Sequence, residues 1–214
     1  MIKKRTRVYV DGFNIYYGIR FTPYRWLDLG RLARLLVPNV ELDAIRYFTA
    51  RIEARDDPDQ PQRQAIYLRA LQTIPNLSIH FGQFRSNQVR MALVSPPPIG
   101  AKTALVWKTE EKGSDVNLAT YLLADGFEAR YEQAVVVSND SDLVEPIRVV
   151  RDQLGRHVTV LNPTPSFSVQ LRDASTAYRR ITEASLRAAQ FPQELADEHG
   201  TFHRPISWAQ PKAK

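Results

Sequence analysis

Carboxylates set at the ends of apolar runs are the residues of this sequence best placed to do chemistry, and three segments carry them. In the first, Val8-Tyr-Val leads into Asp11, Gly12, Phe13 and Asn14. A strand that stops on an acid puts the carboxylate at its carboxyl tip; Gly12 permits close backbone approach, and Asn14 can cap a helix or meet a ligand oxygen. In the second, Ala134-Val-Val-Val-Ser138 runs into Asn139, Asp140, Ser141 and Asp142. Asp140 then falls at a strand tip, and Asp142 at a helix start where the dipole favours an anion. Two carboxylates on one short turn repel each other unless a cation or a proton neutralises them. The third, Lys112-Gly-Ser-Asp115-Val-Asn117, precedes Leu118, Leu122 and Leu123, so Ser114 or Asp115 opens a helix.

Each segment also has a plain structural reading. Asp11 fits an Asx turn and cap, Asp142 a dipole partner, and Asp115 an early-turn acid. Lys112 could hold a phosphate or balance the carboxylates, or simply face solvent; Ser138 and Ser141 could orient a water or hold the turn. Glu110 and Glu111 read as well as a solvated charge run. Phe13, Tyr16, Tyr17 and Trp26 could stack on bases, although core packing serves most aromatics.

The elements that must position these groups alternate. Short runs rich in branched and aromatic residues predict strands over Arg7 to Val10, Ala44 to Arg51, Leu77 to Phe84, Ala134 to Ser138 and His157 to Leu161. Helical spacing predicts helices around Leu27 to Leu36, Gln62 to Leu71, Asp115 to Leu123 and Leu143 to Leu154. This is the pattern of an α/β domain, a Rossmann-like three-layer sandwich with a mainly parallel twisted sheet of about five strands. Right-handed crossovers then bring ligand chemistry to the carboxyl ends of the strands. One domain over 1–190 is expected, with a hairpin or loop inserted over 85–107 around Ser95-Pro-Pro-Pro-Ile-Gly100. Pro192, Gly200, Pro205 and Pro211 predict an irregular, loosely docked tail over 191–214, ending in Lys212 and Lys214.

Composition narrows the chemistry. Cysteine is absent, which excludes disulfides, thiolate metal sites and a cysteine nucleophile. A net charge of +6 favours a polyanionic partner. His80, His157, His199 and His203 are scattered and show no acid–base pairing. No Ser-His-acid arrangement stands out, and the aspartyl-nucleophile pattern of phosphatases wants an acid where Phe13 stands. Oxygen ligands suit Mg2+ or Mn2+ rather than zinc. With no apolar run long enough to span a membrane and no signal-peptide pattern, a cytoplasmic location is expected.

Taken together, Val10-Asp11-Gly-Phe-Asn14, Lys112-Gly-Ser-Asp115-Val and Ser138-Asn-Asp140-Ser-Asp142-Leu resemble the NYN ribonuclease-like domains of the PIN-like nuclease group, and their bacterial LabA-like branch in particular. The resemblance spans roughly residues 7 to 185 and implies a twisted parallel sheet, an acidic pocket at its carboxyl edge, and Mg2+ or Mn2+ as cofactor. Asp11, Asp115, Asp140 and Asp142 match the acidic positions and are the expected metal ligands and catalytic residues; Asn14, Lys112, Ser138 and Ser141 are the expected substrate contacts. The implied activity is endoribonucleolytic hydrolysis of single-stranded RNA by a metal-activated water, leaving a 5' phosphate and a 3' hydroxyl. The alternative is a non-catalytic, RNA-binding or regulatory module. RNA is the expected partner, with the chain acting alone or as a homodimer.

Overall fold

The computed structural model describes residues 3–54 and 57–209. Six strands form one wholly parallel sheet: β1 (Lys4–Asp11), β2 (Val40–Thr49), β3 (Leu77–Phe81), β6 (Gln133–Val137), β7 (His157–Asn162) and β8 (Ala177–Arg180), in the order β3-β2-β1-β6-β7-β8. Strand numbers rise outward on both sides of the β1–β6 pair, so the winding reverses there. A crevice opens at the carboxyl ends of strands at such a switch point.

Parallel strands covered on both faces need apolar residues on both, and β6, Gln-Ala-Val-Val-Val, is buried throughout. Side chains alternate across the pleat. Val8, Val10, Val135 and Val137 therefore join one core, with Trp26, Leu32 and Leu71, under α1 (Gly12–Ile19), α2 (Leu29–Leu36) and α3 (Gln60–Gln72). Tyr9, Val136, Val158 and Val160 join the other, with Leu118, Leu122 and Ile147, under α4 (Ser114–Phe127), α5 (Val144–Arg148) and α6 (Val169–Ala174).

Helix α4 is also tied to the sheet by charge. Asp125 is buried and accepts from Tyr9 Oη at 2.8 Å and from Arg46 Nε at 2.9 Å, with Arg7 Nη1 at 3.1 Å. Burial alone would raise its pKa, but the hydrogen bonds from Arg46, Tyr9 and Arg7 hold the carboxyl below the usual range.

Three departures from the sequence reading have physical causes. The run Leu77 to Phe84 is two strands: β3 ends at Phe81, and after Gly82 the chain leaves the sheet as β4 (Gln83–Ala92), paired antiparallel with β5 (Thr103–Lys112). This is the hairpin expected over 85–107, with the proline run at its tip. A Cβ on Gly82 would lie 2.1 Å from Glu111 Oε1 and 2.7 Å from Lys112 O, so the bend takes glycine alone. The sixth strand, β8, is a short edge strand whose Ala-Tyr-Arg-Arg carries no apolar run.

The third departure corrects the tail. After α7 (Glu183–Ala188) the chain forms an antiparallel pair, β9 (Glu194–Asp197) and β10 (Gly200–His203), then a 3-10 turn over Ile206–Trp208. Phe191, Phe202 and Trp208 are buried in the first core, and Arg69 clamps Asp197 at 2.6 Å. Isolated aromatics anchor residues 191–209, whereas Pro211, Lys212 and Lys214 lie outside the described residues. Among the described residues, no helix is long and apolar enough to cross a membrane.

Candidate metal centre and substrate cleft

The site is built at the switch point. Asp11 is the last residue of β1 and the N-cap of α1: its Oδ1 accepts from Asn14 N at 2.9 Å, and Ser138 Oγ donates to its Oδ2 at 2.9 Å. Gly12 must be glycine, since a Cβ there would sit 2.6 Å from Phe48 O in the neighbouring strand. Just beyond β6, Ser138 Oγ accepts from Asp140 N at 3.0 Å, and Asp140 Oδ1 accepts from Asp142 N at 3.0 Å. One buried hydroxyl thus connects the two strand-tip acids. Asp115 comes from the first turn of α4, whose N-cap Gly113 adopts the left-handed φ of 98°.

These three acids converge: one carboxylate oxygen from each of Asp11, Asp115 and Asp140 lies within 4.8 Å of the others. Asp11 is 4% exposed, and its pKa is pushed up to about 6, first by burial and then by the nearby charges of Asp115 and Asp140, against the hydrogen bonds from Asn14 and Ser138. Asp115 is likewise raised, first by burial and then by Asp140, Glu111 and Asp142. Three anionic oxygens, one of them out of water, are held together at an energetic cost that a divalent cation removes. The donor set, all oxygen, fits Mg2+ or Mn2+.

Asp142 does not join that group. It is exposed, in a 3-10 turn over Ser141–Leu143. Its charge still reaches Asp115, which makes it an outer acid of the site.

The expected substrate contacts divide in the same way. Asn14 lines the cleft, but its Oδ1 accepts from Asn139 N at 3.0 Å, fastening α1 to the loop after β6. Ser138 is buried and positions the two acids. Ser141 is exposed beside Asp142 and is not among the cleft-lining residues. Lys112 alternates with Glu111 along β5 and so turns to the opposite face of the strand, with Nζ 3.2 Å from Glu110 Oε2. The strand pleat, invisible when these residues are read as part of a helix start, directs it away from the acids.

Glu111, which the sequence reads equally well as part of a solvated charge run, belongs to the site. It lines the cleft and accepts from Ser114 N at 3.1 Å and Ser114 Oγ at 2.7 Å, so it caps α4 while adding a fourth negative charge near Asp115. The signal was an acid three residues ahead of a serine that opens a helix. The cleft measures about 380 Å3, and the hairpin supplies one wall through Phe84, Thr109 and Glu111. Phe84 packs edge-on against Phe13, with ring centroids 5.8 Å apart.

A second hollow of about 370 Å3 adjoins the cleft, and Phe13, Tyr17, Phe84 and Thr109 line both. Of the aromatics proposed for stacking, Phe13, Tyr16 and Tyr17 line this chamber, whereas Trp26 is fully buried in the core.

A parallel sheet with three carboxylates gathered at its switch point is the architecture of the PIN-like nuclease group. The NYN domain model matches residues 5–182, and the chain belongs to the NYN domain family. It is 32% identical, over 95% of its own length and 75% of the relative's, to the 6-hydroxy-3-succinoylpyridine 3-monooxygenase HspA of Pseudomonas putida. Among solved structures, a protein of unknown function from Vibrio parahaemolyticus shares the fold, with a TM-score of 0.53 and 19% identity over 85% of this chain and 95% of the other.

Proposed function

We propose that this protein is a metal-dependent ribonuclease that hydrolyses phosphodiester bonds of single-stranded RNA. The observation that carries the reading is the convergence of Asp11, Asp115 and Asp140 oxygens within 4.8 Å in a family of nuclease fold. A divalent cation held by these three acids would supply Lewis acidity to the phosphate and lower the pKa of an attacking water. Ser138 and Asn14 fix the geometry of the acids, Glu111 caps the helix that carries Asp115, and Asp142 adds negative potential at the rim. On the strand face that carries Thr109 and Glu111, Trp107 is 69% exposed two residues further out, where a base of an extended strand can stack.

A second reading has its own support. The relative named as a hydroxypyridine monooxygenase matches nearly the whole chain, and an aromatic chamber opens beside the acids. On that reading the site handles a small hydroxylated pyridine rather than a polymer.

The discriminating experiment incubates labelled single-stranded RNA with the protein and Mg2+ or Mn2+, beside Asp140→Asn. Cleavage that leaves 5' phosphates and disappears in the variant supports the ribonuclease. RNA that binds yet stays intact with either ion supports a binding module; RNA that neither binds nor is cut returns the site to small-molecule chemistry.

A further inference from the structure

The chamber beside the acidic cleft is a built cavity rather than a surface dimple. Its volume of about 370 Å3 falls in the range of small-ligand sites, about 300–1,000 Å3, and suits one nucleoside-sized group rather than a length of polymer. Rings of Tyr16, Tyr47, Tyr67 and Trp208 wall it, and three of these are fixed in the core: Tyr67 Oη donates to Leu27 O at 2.9 Å, and Tyr67 and Trp208 pack with centroids 5.6 Å apart. Gln64 is immobilised as well, accepting from Ile52 N at 3.0 Å and donating to Ala50 O at 2.8 Å. Such walls are preorganised for a flat ring.

The polar lining is equally specific. Arg25 is buried, donates to Ser207 O at 2.7 Å and lies near enough to Arg63 to feel its charge; Arg63 in turn is paired with Asp57. Guanidinium groups held in place beside aromatic walls offer N–H donors to a ring that carries carbonyl oxygens. At the other end the chamber shares Phe13, Tyr17, Phe84 and Thr109 with the cleft, so a ligand seated in it can extend an attached arm into the acidic cleft.

The geometry points to a binding site for one planar, carbonyl-bearing nitrogen heterocycle, inserted between these rings with its anionic arm directed at the divalent cation that the acidic cluster would hold. Two sources share that chemistry: a base of the RNA strand turned out of its stack beside the scissile phosphate, or a free hydroxypyridine carboxylate. The first source rests on the ribonuclease reading; the chamber itself does not.

Isothermal titration calorimetry on the full chain in saturating Mn2+ tests this with UMP, GMP, 6-hydroxypyridine-3-carboxylate and, lacking any nitrogen heterocycle, ribose 5-phosphate. The heterocycle-bearing probes should bind about tenfold or more tightly than ribose 5-phosphate, the contrast expected of ring stacking. Ile52→Trp, which fills the chamber from its half-buried rim, should weaken them about tenfold while Mn2+ binding at the acids is unchanged. Tyr16→Leu, which removes one wall, serves as the second variant should the first fail to fold. Preference for the nucleotides assigns the chamber to a base of the strand; preference for the pyridine assigns it to a free heterocycle. Equal binding of ribose 5-phosphate, no binding by any ring-bearing probe, or affinities untouched in a folded variant would overturn the proposal. Because the readout is binding without turnover, a protein that cuts RNA but fails here loses only the chamber, and one that binds heterocycles but spares RNA loses only the nuclease.

Discussion

Replacing Asp11 with asparagine should stabilise the metal-free protein at neutral pH, the reverse of what a mutation in a buried hydrogen-bonded group usually does. Asp11 titrates at about 6 in the folded chain against 3.8 for an unhindered aspartate, so the proton favours the folded state. That favourable contribution is fully present below about pH 4 and is lost as the pH rises through about 6. Above this window the folded state carries a buried carboxylate at a cost of about 3 kcal/mol, from roughly two pH units at about 1.4 kcal/mol each. The amide introduced by Asp11→Asn would keep an acceptor for the Asn14 N–H and remain neutral at every pH. The expected gain is about 6–12 °C in Tm near pH 7.5 for a chain of this size, shrinking to nothing near pH 4. Thermal denaturation in chelator across that range measures it, and added Mn2+ should raise the Tm of the natural protein but not of Asp11→Asn. A variant less stable than the natural protein at pH 7.5, or a difference that does not change with pH, would refute the reasoning.

Other expectations follow from neighbouring contacts. Asp125→Ala leaves Arg46 buried without its carboxylate and should cost about 3–5 kcal/mol in urea denaturation. Trp208→Ala should cost about 3–5 kcal/mol, because its ring sits in the core; a loosely docked tail would give almost nothing. Glu111→Gln should weaken Mn2+ binding about tenfold in an EPR titration, through loss of one negative charge beside the site and weakening of the cap on the helix that carries Asp115. Trp107→Ala should weaken single-stranded RNA binding by about 1–3 kcal/mol in a filter-binding assay while leaving Tm unchanged, since the ring is exposed.

Asp11 and Asp140 were legible because an apolar strand that ends in an acid fixes where that acid lies. Their capping roles and their place in the cluster proved compatible: each gives one oxygen to a backbone N–H and still reaches the other acids. Asp142 stands outside the group of converging oxygens, in an exposed 3-10 turn that spacing along the chain does not reveal. Lys112 and Glu111 required the hairpin's pleat, which decides which of two neighbours faces the cleft. Gly82 hid a break between two strands whose residues read as a single run. The C-terminal segment was read as loose because Phe191, Phe202 and Trp208 have no periodicity; their burial depends on Trp26 and on Tyr67 and Arg69 of α3, far away in sequence. The chamber, assembled from α1, β2, α3, the hairpin and Trp208, has no local signature at all.

The most direct test of the metal centre is anomalous scattering from a crystal soaked in Mn2+. A peak at ligand distance from carboxylate oxygens of Asp11, Asp115 and Asp140, with Asp142 outside direct coordination, is the predicted result. No peak between these three acids at millimolar Mn2+, or one held elsewhere, would contradict the account.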